Sequence, residues 1–384
     1  MRTHCLQERC NMQNNRRKSR RIMVGNVPVG GDSPITVQSM TNTLTADVNA
    51  TVSQILRMEE AGVDIVRSSC PDEDSAKAVS SIVKSIHVPL VADIHFDYKM
   101  ALLAADNGAA CLRINPGNIG GKDRVNEVVQ AAKNNGCAIR IGINGGSLEK
   151  SLLEKYHEPC ADAIVESALN QAKVLEDADF FDFKISVKSS DVRTMVESYR
   201  KLAALCDYPL HIGVTEAGGL RTGLIKSGIG IGTLLLEGIG DTLRVSLSAD
   251  VTEEVRAGFE LLKSLGLRYR GVRIVSCPTC ARKGFDVEKV VNALDEQLSD
   301  VSEPLNVAVM GCVVNGPGEA AHADIALAGG GKGVVLVYVG GLSVCKITAD
   351  KAVEFMVNLV REAVRLKQSD GNWIQLLQSK YKNR

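Results

Sequence analysis

Three runs, PLVADIH (89–95), CLRINPG (111–117) and AIRIGING (138–145), decide the fold. Each is a short apolar stretch that carries charged or amide side chains at or near its end. Such runs read as buried parallel strands whose polar residues gather at one end. Working outward, the same unit recurs at ITVQSM (35–40), DIVRSS (64–69), FDFKISVKSS (181–190), PLHIGVTEAG (209–218) and TLRVSLS (242–248). Between the runs lie amphipathic stretches such as NATVSQILRMEEAGV (49–63), with apolar residues at helical spacing and a Gly near the end. Strand and helix alternate eight times, which predicts an α/β architecture with a closed (β/α)8 TIM barrel. A doubly wound open sheet is the rival, and eight uniform units favour closure. The longer gap between the fifth and sixth runs leaves room for an extra helix.

At 384 residues the chain is too long for one ordinary core. The division expected is a basic, solvated tail over 1–20, a substrate-binding barrel over 21–267, and a smaller C-terminal α/β domain over 268–384. Lys and Arg together number 45, as do Asp and Glu. That balance argues against nucleic acid or a membrane surface, which need a basic excess to meet phosphates. No apolar run is long enough to span a bilayer, and the basic N-terminus has no apolar stretch behind it, so no secretory signal is read there. Eleven cysteines, most of them single within apolar segments, fit a reduced cytoplasmic protein.

The strand ends carry the chemistry, because the βα loops of such a barrel share one mouth. Ser39, Arg67, Asp93, His95, Arg113, Asn115, Arg140, Asn144, Lys184, Lys188, Glu216, Arg244 and Ser246 all fall at or near those ends. For any one of them, an internal ion pair such as Arg67 with Asp93 explains the residue as well as function does. Several cations converging with only two carboxylates is harder to explain that way, and Arg forks suit phosphate oxygens. The mouth is therefore expected to hold a diphosphate. Two Gly-rich stretches do not support a nucleotide. GIGIGT (228–233) lacks the strand–GxGxxG–helix order and is expected to form a tight loop and helix start. GGGKG (329–333) precedes Val, not Ser or Thr, and reads as a strand connection.

Beyond the barrel, Cys277-Pro-Thr-Cys280 is followed by a helical stretch and by the strand NVAVMG, which leads into Cys312-Val-Val-Asn-Gly-Pro-Gly-Glu319. A CxxC pair joined by a third Cys from a distant strand end is metal-ligand spacing. A thioredoxin-type pair leaves Cys312 unexplained. A structural zinc site wants a fourth ligand, for which His322 and Cys345 are poorly spaced. A three-Cys iron–sulfur cubane fits better, with one iron open or held by an oxygen ligand such as Glu319.

The runs VQSMTNT, ADIHF, RINPGN, RIGINGGSL, SVKSSD, TEAGG, LLLEGIGDTLRVSLS, SCPTC and GCVVNGPGEA, in this order, resemble the 4-hydroxy-3-methylbut-2-enyl diphosphate synthases of the non-mevalonate isoprenoid pathway, from about residue 20 to near 365. The resemblance implies one 4Fe–4S cluster per chain, flavodoxin or ferredoxin as electron donor, and a head-to-tail homodimer. It implies reductive opening and dehydration of 2-C-methyl-D-erythritol 2,4-cyclodiphosphate. By motif position, Cys277, Cys280 and Cys312 would ligate the cluster with Glu319 as the fourth ligand. Arg67, Arg113, Arg140, Lys188 and Ser246 would clamp the diphosphate, with Asn144 and Asp93 nearby and Glu216 as acid–base carboxylate. Lys184 lies one alternation from Lys188. The insert domain of the plant-type enzymes is missing, and Cys5 and Cys10 fall outside the resemblance.

Overall fold

The computed structural model describes residues 16–382 apart from positions 279 and 332. The chain forms two units that divide after Arg268.

In the first unit, a hairpin of β1 (Ile22–Val24) and β2 (Val27–Val29) precedes the barrel. The barrel then runs β3 (Thr36–Met40), α1 (Val48–Glu60), β4 (Ile65–Ser69), α2 (Glu73–Val83), β5 (Leu90–Asp93), α3 (Tyr98–Asp106), β6 (Cys111–Ile114) and α4 (Lys122–Asn135). It continues through β7 (Ala138–Asn144), α5 (Lys150–Tyr156), α6 (Ala161–Asp177), β8 (Phe183–Lys188), α7 (Val192–Leu205), β9 (His211–Ile212), α8 (Leu220–Leu236), β10 (Thr242–Leu243) and α9 (Val251–Ser264). The eight strands β3 to β10 form one parallel sheet, and a bridge between Ile185 and Leu210 joins β8 to β9. The expected barrel is there, nearly closed, with α5 as the extra helix. Asp47, Asp72, Asp97, Asp191 and Asp250 each accept a bond from a backbone N–H in the first turn of the helix that follows. An Asp at the end of a βα loop thus starts five of the helices.

Outward strand residues such as Val37, Ile139, Ile185 and Leu243 pack under the helices in one large core. The inward residues at the strand starts, Ile65, Val91, Cys111 and Ala138, close over Ile22, Val24 and Val29 of the hairpin. That apolar plug seals the bottom of the barrel and leaves the polar end as its mouth.

Two expectations are corrected. Of the segment 1–20, read as a solvated tail, residues 1–15 lie outside the described residues, while Arg16 to Arg20 are bound to the barrel. Arg16 pairs with Asp241 at 3.2 Å, Ser19 donates to the same carboxylate at 2.8 Å, and Arg17 donates to the carbonyls of Ala203 and Tyr208, each at 3.0 Å. Guanidinium forks find carbonyls and a buried carboxylate here, so these charges serve docking. GIGIGT is not a loop but the middle of α8. A Cβ at Gly230 would lie 2.6 Å from Met195 Cε, so glycine there lets α8 pack close against its neighbour.

The second unit is a five-stranded sheet in the order β11 (Val272–Ser276), β12 (Leu305–Met310), β13 (Ile325–Gly331), β14 (Val334–Val339) and β15 (Leu342–Thr348). The first three strands are parallel and the last two antiparallel. Helices α10 (Val287–Gln297), α12 (Ala352–Ser369) and α13 (Trp373–Tyr381) share one apolar core with Val307, Leu327 and Val337. The short α11 (Gly316–Ala320) covers a smaller cluster around Ala308, Met310 and Ala328.

Candidate active site

At the mouth, parallel register sets the inward side chains beside one another. Asp93 is in register with Arg113, Arg113 with Arg140, and Asn144 with Lys188. Asp93 is buried and is the hub: Arg113 Nη1 lies 3.2 Å from it, His95 Nε2 3.7 Å and Arg67 Nε 3.8 Å. Burial opposes its charge, but Arg67, Arg113, Arg140 and His95 outweigh that and hold the carboxyl below its ordinary range. Arg244 is paired with Glu254 of α9 at 3.0 Å, and Glu254 also accepts from Ser39 Oγ at 2.8 Å. Met40 Sδ sits between two guanidiniums, 2.8 Å from Arg67 Nη2 and 3.5 Å from Arg244 Nη1.

These pairs do not balance the charge. Among the described residues, Arg67, Arg113, Arg140, Lys188 and Arg244 are met by the carboxylates of Asp93 and Glu254 only. Arg140 is 1% exposed and donates once, to Ser186 Oγ at 2.7 Å, while its Nε and Nη2 have no partner among the described residues. Arg113 Nε is likewise without a partner. Burial first, and then Arg140, Arg67 and Arg244, drive the Lys188 ammonium well below its ordinary pKa. Burial and Arg113 bring Arg140 down to about 10. A cluster of cations that depress one another, with donors left over, has the electrostatics of a site for a multiply charged anion. The backbone makes room for the Arg113 guanidinium at Gly142, where a Cβ would run into Arg113 Nε.

The remaining expected residues lie on the loops after the last strands. Ser246 is half-buried beyond β10, which is shorter than the run TLRVSLS. Glu216 follows β9, is exposed, and holds φ at +51°, a left-handed backbone uncommon for a non-glycine residue.

In the second unit, Cys277 and Cys312 stand just past the ends of the adjoining strands β11 and β12, with Cys277 N–H donating to Val309 O at 3.4 Å. Gly311 N–H donates to Cys277 Sγ at 3.1 Å. Cys280 is exposed, and its hydrogen bonds with Arg282 lower its thiol pKa. Arg282 is raised by Cys280 and also by Cys312, so one guanidinium serves both sulfurs. Glu319 is exposed on α11. Among the described residues no three His, Cys, Asp or Glu side chains converge as a single-ion site.

Sequence reading missed Met40, Glu254 and Arg282. Glu254 had a signal, since it falls on the apolar face of α9 with Val251, Val255 and Gly258. Arg282 had one too, as a cation two residues past the CxxC pair. Met40 had none, because a methionine closing an apolar strand reads as core.

Residues 19–259 match the family model of the GcpE TIM-barrel domain, and 273–362 match that of the GcpE protein C-terminal domain. The 4-hydroxy-3-methylbut-2-en-1-yl diphosphate synthase (flavodoxin) of Zymomonas mobilis is 61% identical, covering 90% of this chain and 92% of that protein. The proteins of the same name from Gluconacetobacter diazotrophicus, 59% identical over 92% of this chain and 93% of that one, and from Rhodospirillum rubrum, 60% identical over 90% and 92%, are similarly close. A dihydropteroate synthase of Xanthomonas albilineans superposes with a TM-score of 0.47 at 14% identity, over 64% of this chain and 97% of that one, and bears on nothing further. Matched along both its units, the chain belongs to the GcpE family.

Proposed function

We propose that the chain is an oxidoreductase of isoprenoid biosynthesis that converts 2-C-methyl-D-erythritol 2,4-cyclodiphosphate into (E)-4-hydroxy-3-methylbut-2-enyl diphosphate, with electrons from flavodoxin. The observation that carries the reading is the uncompensated positive charge at the mouth, where Arg67, Arg140 and Lys188 lie buried beside the half-buried Arg113, and Arg113 and Arg140 keep donors with no partner among the described residues. A diphosphate supplies both the charge and the acceptors. Arg67, Arg113, Arg140, Lys188 and Ser246 grip it, Asp93 fixes the two guanidiniums it touches, and Asn144 lies beside Lys188 at the rim. Binding energy from this remote group positions the ring for opening. Glu216, on a strained and exposed backbone, delivers the proton to the departing hydroxyl.

The donor set of the second unit fits an iron–sulfur cluster: thiols at adjoining strand ends, a backbone N–H on one sulfur, and a guanidinium serving the other two. Cys277, Cys280, Cys312 and Glu319 would hold a 4Fe–4S cluster, which when bound passes electrons singly and offers an iron lacking a thiolate. Two copies complete each active site. Arg268 is clamped to Asp64 at 2.6 and 2.8 Å and to Ile35 O at 3.2 Å, which fixes the end of the first unit at the bottom of its own barrel. Tyr269 to Gly271 alone separate it from β11, a reach of about 10 Å. A head-to-tail dimer brings one copy's cysteines to the other's mouth without strain. Exposed Leu44 and Phe96 on the mouth loops, and Val313 and Val314 beside Cys312, are apolar surface that such a contact would cover. The compartment is read as cytoplasmic.

Iron and acid-labile sulfide analysis of protein purified without air tests the reading. Iron and sulfide in the amounts of a 4Fe–4S cluster, with broad visible absorption, are expected. Stoichiometric zinc and a colourless protein would overturn it.

A further inference from the structure

Below the mouth, the barrel interior holds a second polar layer that the proposed reaction does not use. Lys184 on β8 is in register with Arg140, His211 on β9 with Thr242, and Thr242 on β10 with Thr36 of β3. Gln38 lies one alternation above Thr36. Lys184, His211, Thr242 and Gln38 are each 0% exposed, and Thr36 is 4% exposed.

Almost nothing in the protein satisfies this layer. Lys184 Nζ, His211 Nε2, Thr36 Oγ1 and both amide atoms of Gln38 have no hydrogen-bond partner among the described residues. His211 Nδ1 reaches Thr242 Oγ1 only at 3.4 Å. Buried polar atoms in native proteins are almost always paired, and a whole layer left bare is not tolerated. Nor is the apolar plug beneath a source of partners, since it is built of Ile22, Val24, Val29 and the strand-start residues. An ammonium carries three donors and no acceptor. The nearby carboxylates, Asp93 of β5 and Glu254 of α9, are taken by Arg67, Arg113 and Arg244. What belongs beside the Lys184 ammonium must accept hydrogen bonds and carry negative charge.

We propose that this layer, directly beneath the diphosphate clamp, is a second binding site that holds a small monovalent anion of chloride's class against Lys184 and His211. The anion is the counter-charge for the buried ammonium. Burial and Arg140 otherwise press Lys184 down to about 8. The site lies within the barrel interior and does not depend on the reaction assigned to the mouth.

Crystals of the full chain soaked in bromide, with data collected at the bromide edge, test it without any variant. An anomalous peak within hydrogen-bond distance of Lys184 Nζ is expected. Density there without anomalous signal, or no density, overturns the proposal. Thermal unfolding in chloride and in gluconate at equal ionic strength gives an independent arm. Chloride at about 100 times its Kd should raise the Tm of the unaltered protein by roughly 5–10 °C. K184M should show no difference between the two salts. An equal chloride response in both proteins, or none in the unaltered one, contradicts the site.

Discussion

Replacing Arg140 with Met separates a residue kept for function from one kept for stability. The side chain is buried, and burial with Arg113 brings its pKa down to about 10, against a smaller pull from Asp93. That drop corresponds to roughly 3 kcal/mol set against the charged form in the folded state. Because the folded value is the lower one, the cost is at full strength below about pH 10 and is relieved only as pH rises beyond it. At neutral pH Met keeps the apolar stem, removes that cost and loses the bond to Ser186, worth about 1 kcal/mol. The ligand-free R140M barrel should therefore be more stable by about 2 kcal/mol, a Tm rise of roughly 4–8 °C. Its affinity for the cyclic diphosphate should fall by about 3–5 kcal/mol, at least roughly 10²-fold. Scanning calorimetry of the barrel transition and anaerobic titration calorimetry read the two effects. A lower Tm with unchanged affinity would refute the reasoning, since it would make Arg140 part of a structural ion-pair network.

Asp93→Asn should act in the opposite sense, costing about 3–5 kcal/mol at neutral pH by stranding Arg67 and Arg113. The Asp93 pKa is held low, so its contribution is present above about pH 4 and is lost as pH falls through the folded value; urea unfolding should show the native chain losing more stability on acidification than D93N. Gly142→Ala pushes a Cβ into the Arg113 guanidinium, the far end of a flexible side chain. Steady-state assays should find KM raised about tenfold or more, and stability changed by less than about 1 kcal/mol. Mixing an inactive Cys312→Ala chain with an inactive Glu216→Ala chain should restore part of the activity, because one of the composite sites in the mixed dimer is intact; no recovery after subunit exchange would count against the dimer.

The barrel was legible because its strands are buried on both faces and its helices are amphipathic, so the alternation of runs shows plainly. The mouth was legible because charges inside such strands are costly, which marks Arg67, Asp93, Arg113, Arg140 and Lys188 at once. The shortness of β9 and β10 was not, since apolar runs continue past the last ladder bonds into loops such as 244–248. GIGIGT misled because glycine suits both a tight turn and a crowded helix contact, and only the position of Met195 decides between them. Arg16 and Arg17 misled because a basic terminal run looks the same whether solvated or docked; Asp241, far away in sequence, decides it. The polar layer around Lys184 and His211 was invisible for a similar reason. Its residues are spread over the four strands β3, β8, β9 and β10, and the closed barrel brings them together.

Turnover is the most direct test of the central claim, that a cationic barrel mouth and a three-cysteine iron–sulfur centre act together on a cyclic diphosphate. Anaerobically purified protein carrying its full iron and sulfide, supplied with reduced flavodoxin and 2-C-methyl-D-erythritol 2,4-cyclodiphosphate, should release (E)-4-hydroxy-3-methylbut-2-enyl diphosphate with two electrons consumed per product. A fully loaded protein that binds the substrate and yet forms no product under those conditions would contradict the account.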